Sequence, residues 1–179
     1  ITLRITHILG ESASEVGLAE DMTTTVLEQQ RIEHERDYDT LTGLYRRRAF
    51  DRACEALFQQ PEKLGCAALL MMDLDNLKQI NDTYGHDWGD QYIRQTGQCF
   101  AANTPANTIC SRLSGDEFLI FFYGYQDQAQ LRAQLELLSA ALQHSVSILP
   151  NGKQLHISIS GGIAWYPTDG HDPVSYTHL

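Results

Sequence analysis

The run CAALLMM, Cys66 to Met72, constrains this chain more than any other stretch, because it is apolar without a break and leads into Asp73 and Asp75. A strand with one wet face alternates apolar and polar residues. A continuous apolar run this short reads instead as a strand buried on both faces. The chain therefore has to supply cover for that strand, and the spacing around it says what kind.

Upstream, Phe50, Ala53, Cys54 and Leu57 form a helical stripe after a turn at Thr42-Gly43. Downstream, NDTYGHDWGDQYIRQTGQCFAAN opens with turn residues and continues as a helix through Trp88, Tyr92, Ile93 and Phe100. Next, SRLSGDEFLIFFYG reads as two apolar strands around a tight polar turn. Leu131, Leu135, Leu138 and Leu142 mark one face of a further helix, and Leu155, Ile157 and Ile159 alternate as a strand does. The order is helix, strand, helix, hairpin, helix, strand. It predicts an α/β fold of the ferredoxin-like or palm kind: a central sheet with an antiparallel hairpin, flanked by helices. Ahead of it, residues from about Glu11 to Asp37 are polar and free of proline, with a weak seam at Leu9, Ser12, Val16, Ala19, Thr23, Val26 and Gln30. That predicts a linker helix within residues 1–38, a loose coiled coil and a solvated connector both remaining open. Residues 39–179 form the second domain.

Composition narrows the function. Lys+Arg 13 against Asp+Glu 23 gives a net charge of −10, which argues against a general nucleic-acid binder. It leaves room for a nucleotide, which needs only local cations and metal. Four scattered cysteines, Cys54, Cys66, Cys99 and Cys110, suit reduced thiols, and seven histidines without helical pairing argue against zinc. The longest apolar run is far too short to span a bilayer. The segment is expected to make no membrane contact and to be cytoplasmic, alone or as part of a membrane-anchored protein.

The chemistry gathers in three places. Asp73 and Asp75 lie two apart at a strand end, where ligands of open α/β sheets bind, or else they are turn acids leading into a helix. Asp116 and Glu117 lie in the hairpin turn, or else they are ordinary polar turn residues. If the strand ending at Asp73 pairs beside the hairpin, Asp73 and Asp116 converge. Hard carboxylate oxygens suit Mg²⁺ or Mn²⁺ shared with substrate phosphates, and two such ions suit attack by a hydroxyl with departure of pyrophosphate. Lys78 and Arg112 supply cations for phosphates. Asn81 and Asp90, in NDTYGHDWGD, offer an amide and a carboxylate to guanine, whose edge carries two donors, or else they belong to the start of a helix.

The segments DYDTLTGLYRRRAF, MMDLDNLKQINDTYGHDWGD and RLSGDEF, in this order and spacing, resemble the GGDEF family of diguanylate cyclases from Asp39 to about Pro167. The resemblance implies condensation of two GTP molecules into cyclic di-GMP with release of two pyrophosphates. It implies two metal ions per active site, held by Asp73, the Leu74 backbone carbonyl and Asp116, with Glu117 assisting the second. Asp116 matches the acceptor of the ribose 3′-hydroxyl proton. Lys78 matches the residue that stabilises charge on the phosphates, and Arg112 lies where a phosphate contact is expected. Asn81, His86 and Asp90 match substrate-binding positions, joined by Gly115 of the signature turn. Each domain of such enzymes holds one GTP, so a homodimer and an upstream sensory domain are implied as partners.

The chain departs from that pattern in three ways. Ser114 stands where the signature has its first glycine. Pro105 to Thr108 replaces the Arg-x-x-Asp inhibitory site of many members, so inhibition by product through that site is expected to be absent. The tail DPVSYTHL does not resemble the family's continuation, so the C-terminal end of the domain is expected to be incomplete. These departures keep open a catalytically degenerate domain that binds GTP or a protein partner. A cyclase acting on one nucleotide is a third reading.

Overall fold

Residues 3–9 and 15–170 are described by the computed structural model of the protein. The chain divides into two compact units, Ile1–Asp37 and Tyr38–Leu179. In the first, β1 (Leu3–Leu9) pairs antiparallel with β2 (Glu15–Asp21), Leu9 opposite Glu15, and α1 (Thr23–Asp37) follows. The linker helix therefore starts at Thr23 rather than near Glu11. Val16 and Ala19 of the expected seam lie in a strand, Thr23 and Val26 in the helix, and Ser12 falls outside the described residues. The physical reason is the ladder: β1 gives every residue of β2 a partner, which a half-polar seam does not rival. Asp21 sets the start, accepting from the Thr23 backbone N–H at 2.9 Å and its hydroxyl at 2.6 Å. No described side chain of α1 is buried, and Arg31 bridges Glu28 and Glu35 along its surface.

The second unit runs α2 (Arg47–Phe58), α3 (Pro61–Leu64), β3 (Cys66–Leu74), α4 (Leu77–Tyr84), α5 (His86–Asn103), β4 (Thr108–Ser114), β5 (Glu117–Tyr125), α6 (Gln128–His144), β6 (Val146–Ile148), β7 (Gln154–His156) and β8 (Ile159–Tyr166). Its four-stranded sheet has the order β4-β5-β3-β8 with every neighbour antiparallel. Counted in chain order that is 2-3-1-4, the ferredoxin-like arrangement expected from the sequence.

Both faces of β3 are used. Ala68, Met72 and Leu74 join Phe118, Ile120 and Phe122 of β5 beneath α4, α5 and α6. Ala67 and Leu69 join Leu119 and Phe121 against Phe50 and Cys54 of α2 and Leu64 of α3. Alternate residues facing opposite ways, all apolar, account for the unbroken CAALLMM run.

Two boundaries differ from the sequence expectation. The single helix expected between β3 and the hairpin is two, and Asn81 to Tyr84, expected as turn residues, finish the first: Gly85, at φ 89°, ends α4 and its N–H returns to the Asn81 carbonyl at 2.9 Å. The strand expected through Leu155, Ile157 and Ile159 is broken between β7 and β8. There the Ile157 N–H donates to the Ser145 carbonyl and the Ser158 N–H to the buried Tyr92 hydroxyl, so neither serves the main sheet. The tail Asp172–Leu179 falls outside the described residues. Among the described residues no helix is long and apolar enough to cross a membrane.

Candidate active site

The end of β3 and the β4–β5 turn are joined by backbone before any side chain is considered. Asp73 sits directly opposite Glu117, and the Leu74 N–H donates to the Asp116 carbonyl at 2.9 Å. Asp73, Asp116 and Glu117 are thus neighbours, with Asp73 exposed and the other two half-buried. Desolvation, then the charges of Asp116, Glu117 and Asp75, push the Asp73 carboxyl above the usual carboxylate range. Three like charges collected without a compensating cation are a standing electrostatic cost, which a bound cation would offset. Among the described residues, no three acidic, histidine or cysteine side chains close into a metal cage. The donor set here is open: hard oxygens on one side, room for water or phosphate on the other, which fits Mg²⁺ or Mn²⁺ better than zinc. An open groove of about 350 Å³ leads from Asp73 and Glu117 along Met71, Gly162 and Ala164.

The turn has two different local demands. Gly115 holds φ at 47°, a left-handed value that favours glycine. Ser114 has no such requirement, since Asn76 is the only described non-glycine residue with positive φ. Its hydroxyl donates to Glu117 Oε2 at 2.9 Å. Arg112 braces the turn from below: Nε and Nη2 donate to the Gly115 carbonyl at 3.0 and 2.8 Å, while Nη1 meets Asp39 at 3.2 Å. Burial works to raise the Asp39 carboxyl, but the Thr42 hydroxyl, the Thr42 amide and Arg112 together bring it below the usual range.

Asp75 does something the sequence did not announce. Spacing put it beside Asp73 as a second candidate acid. Both of its oxygens are instead taken by β8 and the residue before it: Ser158 Oγ donates to Oδ2 at 2.6 Å and Ser160 Oγ to Oδ1 at 2.8 Å. The Asp75 N–H donates to the Ser158 carbonyl as well. Asp75 fastens the end of β3, which carries Asp73 and Leu74. The paired serines of SIS were the only signal in the sequence, and without the β3–β8 register they had no partner to suggest.

The remaining candidates lie on α4 and α5. Lys78 is exposed in the first turn of α4, and His86 and Asp90 are exposed at the start of α5. Asn81 faces α5 so closely that a β-carbon at position 89 would lie 1.9 Å from its Oδ1, so Gly89 is required for that packing. That oxygen is buried and has no hydrogen-bond partner. It lies against Gly89, the residue before Asp90. Of the positions expected to lack an inhibitory site, Pro105 to Asn107 form the α5–β4 connection, and Asn107 Nδ2 donates to the Tyr123 carbonyl.

Comparison with known proteins follows the same boundaries. Residues 36–178 match the family described as diguanylate cyclase, GGDEF domain. A Bacillus subtilis protein, YhcK, is 33% identical over 140 residues, covering 77% of this chain and 39% of its own. An uncharacterized membrane protein of Staphylococcus aureus is 34% identical over 147 residues, covering 81% and 40%. The chain thus spans about two fifths of the length of these relatives. Among solved structures, a sensory box/GGDEF family protein from Caulobacter crescentus superposes with TM-score 0.70 at 28% identity, covering 79% of this chain and 91% of that one. The coiled coil and GGDEF domain of DgcB from the same organism, in complex with c-di-GMP, shares the fold with TM-score 0.76 at 21% identity, covering 88% and 83%.

Proposed function

Because this chain belongs to the GGDEF family of diguanylate cyclase domains, we propose that it condenses two GTP molecules into cyclic di-GMP. The observation that carries this reading is the convergence of Asp73 with Asp116 and Glu117 at one strand end. Asp90 accepts from the two donors of the guanine edge, and Asn81 adds the amide contact; adenine lacks that donor pair. His86 and Gly115 line the bound nucleotide. Asp116 accepts the proton of the ribose 3′-hydroxyl as its oxygen bonds to the α-phosphorus of the second GTP. The bond from that phosphorus to the β-phosphate bridging oxygen breaks, and pyrophosphate leaves with its charge met by Lys78. Repetition with the roles exchanged closes the ring.

Asp73, the Leu74 carbonyl, Asp116 and Glu117 would hold two Mg²⁺ or Mn²⁺ ions, which supply Lewis-acid polarisation of the phosphate oxygens when bound. Arg112 keeps the turn in shape through the Gly115 carbonyl and Asp39, and its remaining N–H groups serve the phosphate contact. Each domain offers one such site, so the reaction takes two domains facing each other about a two-fold axis. The same reading gives the chain an upstream sensory domain and a cytoplasmic location, where GTP is found. It is supported by the sensory-box context of the Caulobacter relative.

The test is incubation with GTP and Mg²⁺, products resolved by chromatography. Cyclic di-GMP is expected, reduced at least about 100-fold by Asp116→Ala, the size of a general-base contribution. Asp90→Ala should raise the KM for GTP. GTP left intact by a verified dimer overturns the reading. GTP bound but unconverted would point to a regulatory domain instead.

A further inference from the structure

Ser114 is the residue by which this chain differs from its own signature, and its side chain is engaged. It closes β4 directly across from Glu117, and its hydroxyl donates to Glu117 Oε2 at 2.9 Å. A glycine at this position has no such donor, and the backbone here asks for none of glycine's freedom. Glu117 is half-buried at the first position of β5, opposite Asp73. A glutamate has three side-chain torsions, and a carboxylate beside two others is driven to rotate away from them. A hydrogen bond from the residue paired with it, just past an irregularity in the β4–β5 ladder, restricts that freedom.

We propose that Ser114 is a positioning residue for the metal site, holding Oε2 of Glu117 so that Oε1 is presented toward the Asp73–Asp116 side. This rests on the reading of Asp73, Asp116 and Glu117 as metal-binding acids. The hydroxyl acts through Glu117, touching neither metal nor substrate. Partners that orient a ligating carboxylate in this way change metal affinity when they are removed, by roughly 10-fold or more. Serine in the signature is then a gain of order at Glu117 rather than a defect of the turn. Asp75 cannot play this part, since its own oxygens are both occupied by Ser158 and Ser160.

The experiment is a titration of the chain with Mn²⁺ alone, following the free ion by electron paramagnetic resonance, for the wild type, Ser114→Ala, Ser114→Thr and Ser114→Gly. Thermal melts of the four proteins establish that each is folded. Ser114→Ala and Ser114→Gly are expected to bind Mn²⁺ about 10-fold more weakly, and Ser114→Thr, which keeps the hydroxyl, to bind as the wild type does. Equal affinity in wild type and Ser114→Ala overturns the proposal, and so does an equal loss in Ser114→Thr. A wild type that binds no Mn²⁺ removes both this inference and the metal assignment. Product formation from GTP, measured in parallel, judges the cyclase reading separately. Cyclic di-GMP made with unchanged Mn²⁺ affinity in Ser114→Ala sinks the inference alone. Weakened Mn²⁺ binding without product sinks the activity and leaves Ser114 its role.

Discussion

Neighbouring positions in the signature turn obey different rules. Gly115 sits at φ 47° with nothing within 4 Å of where a β-carbon would be, so the objection to a side chain there is torsional rather than steric. Gly115→Ala is therefore expected to destabilise the unit by about 1–2 kcal/mol, the cost of a left-handed L-residue. A lowered midpoint in denaturant melts, with m unchanged, checks it; an unaltered midpoint would show that the turn relaxes freely. Gly89 and Gly161 are restricted by contact instead. A β-carbon at 161 would lie 2.2 Å from the Met71 carbonyl oxygen, across the β3–β8 pairing. The second glycine of GHDWGD and the first of SGG are both places where something must pass close by.

At the scale of elements, the Asp39 turn and the β4–β5 hairpin are tied by Arg112, and that tie has a pH signature. The Asp39 carboxyl is held below the usual range when folded. Its contribution is thus complete above the unfolded carboxylate value and is lost as pH falls through the lowered folded value. Asp39→Asn is expected to melt at lower temperature than wild type at neutral pH, with the gap closing on acidification through that window. Melts recorded at intervals from neutral to pH about 2 test this over the range where carboxylates titrate, and a gap independent of pH would discard the explanation. How these elements read from sequence follows from what each depends on. β3, β5, α5 and α6 were legible because burial writes a period into the residues. The convergence of Asp73 with the hairpin was legible as a condition on strand pairing. The Arg112 brace, the Asp75 fastening and the Ser114 contact were not, since each joins residues whose proximity depends on turn geometry and register. The split at Gly85 and the break at Ile157 were missed because a helix stop and a diverted N–H leave the apolar pattern almost unchanged.

For the whole molecule, the proposed cyclase reading puts one site on each chain and two substrates in each product, which makes encounter between copies part of that reaction. The rate of cyclic di-GMP formation per chain is expected to rise with protein concentration until dimers saturate. Mixing in an Asp73→Ala chain should reduce the wild type's activity beyond simple dilution. Specific activity that is constant over a 100-fold range around the measured dimer dissociation constant, where the paired fraction goes from minor to dominant, would exclude that arrangement.

The fastening of Asp75 also has an order in time. Its partners Ser158 and Ser160 come 83 and 85 residues later in the chain. A ribosome therefore exposes Asp73, Lys78, Asn81, Asp90 and the whole SGDEF turn well before the loop between Leu74 and Asn76 can be tied down. Through that interval the nascent chain holds every signature residue of the site and lacks the Asp75 bonds that tie the end of β3 to Ser158 and Ser160. On the proposed cyclase reading, a nucleotide site with this end of β3 tied down is complete only when β8 arrives, long after the signature residues have been translated.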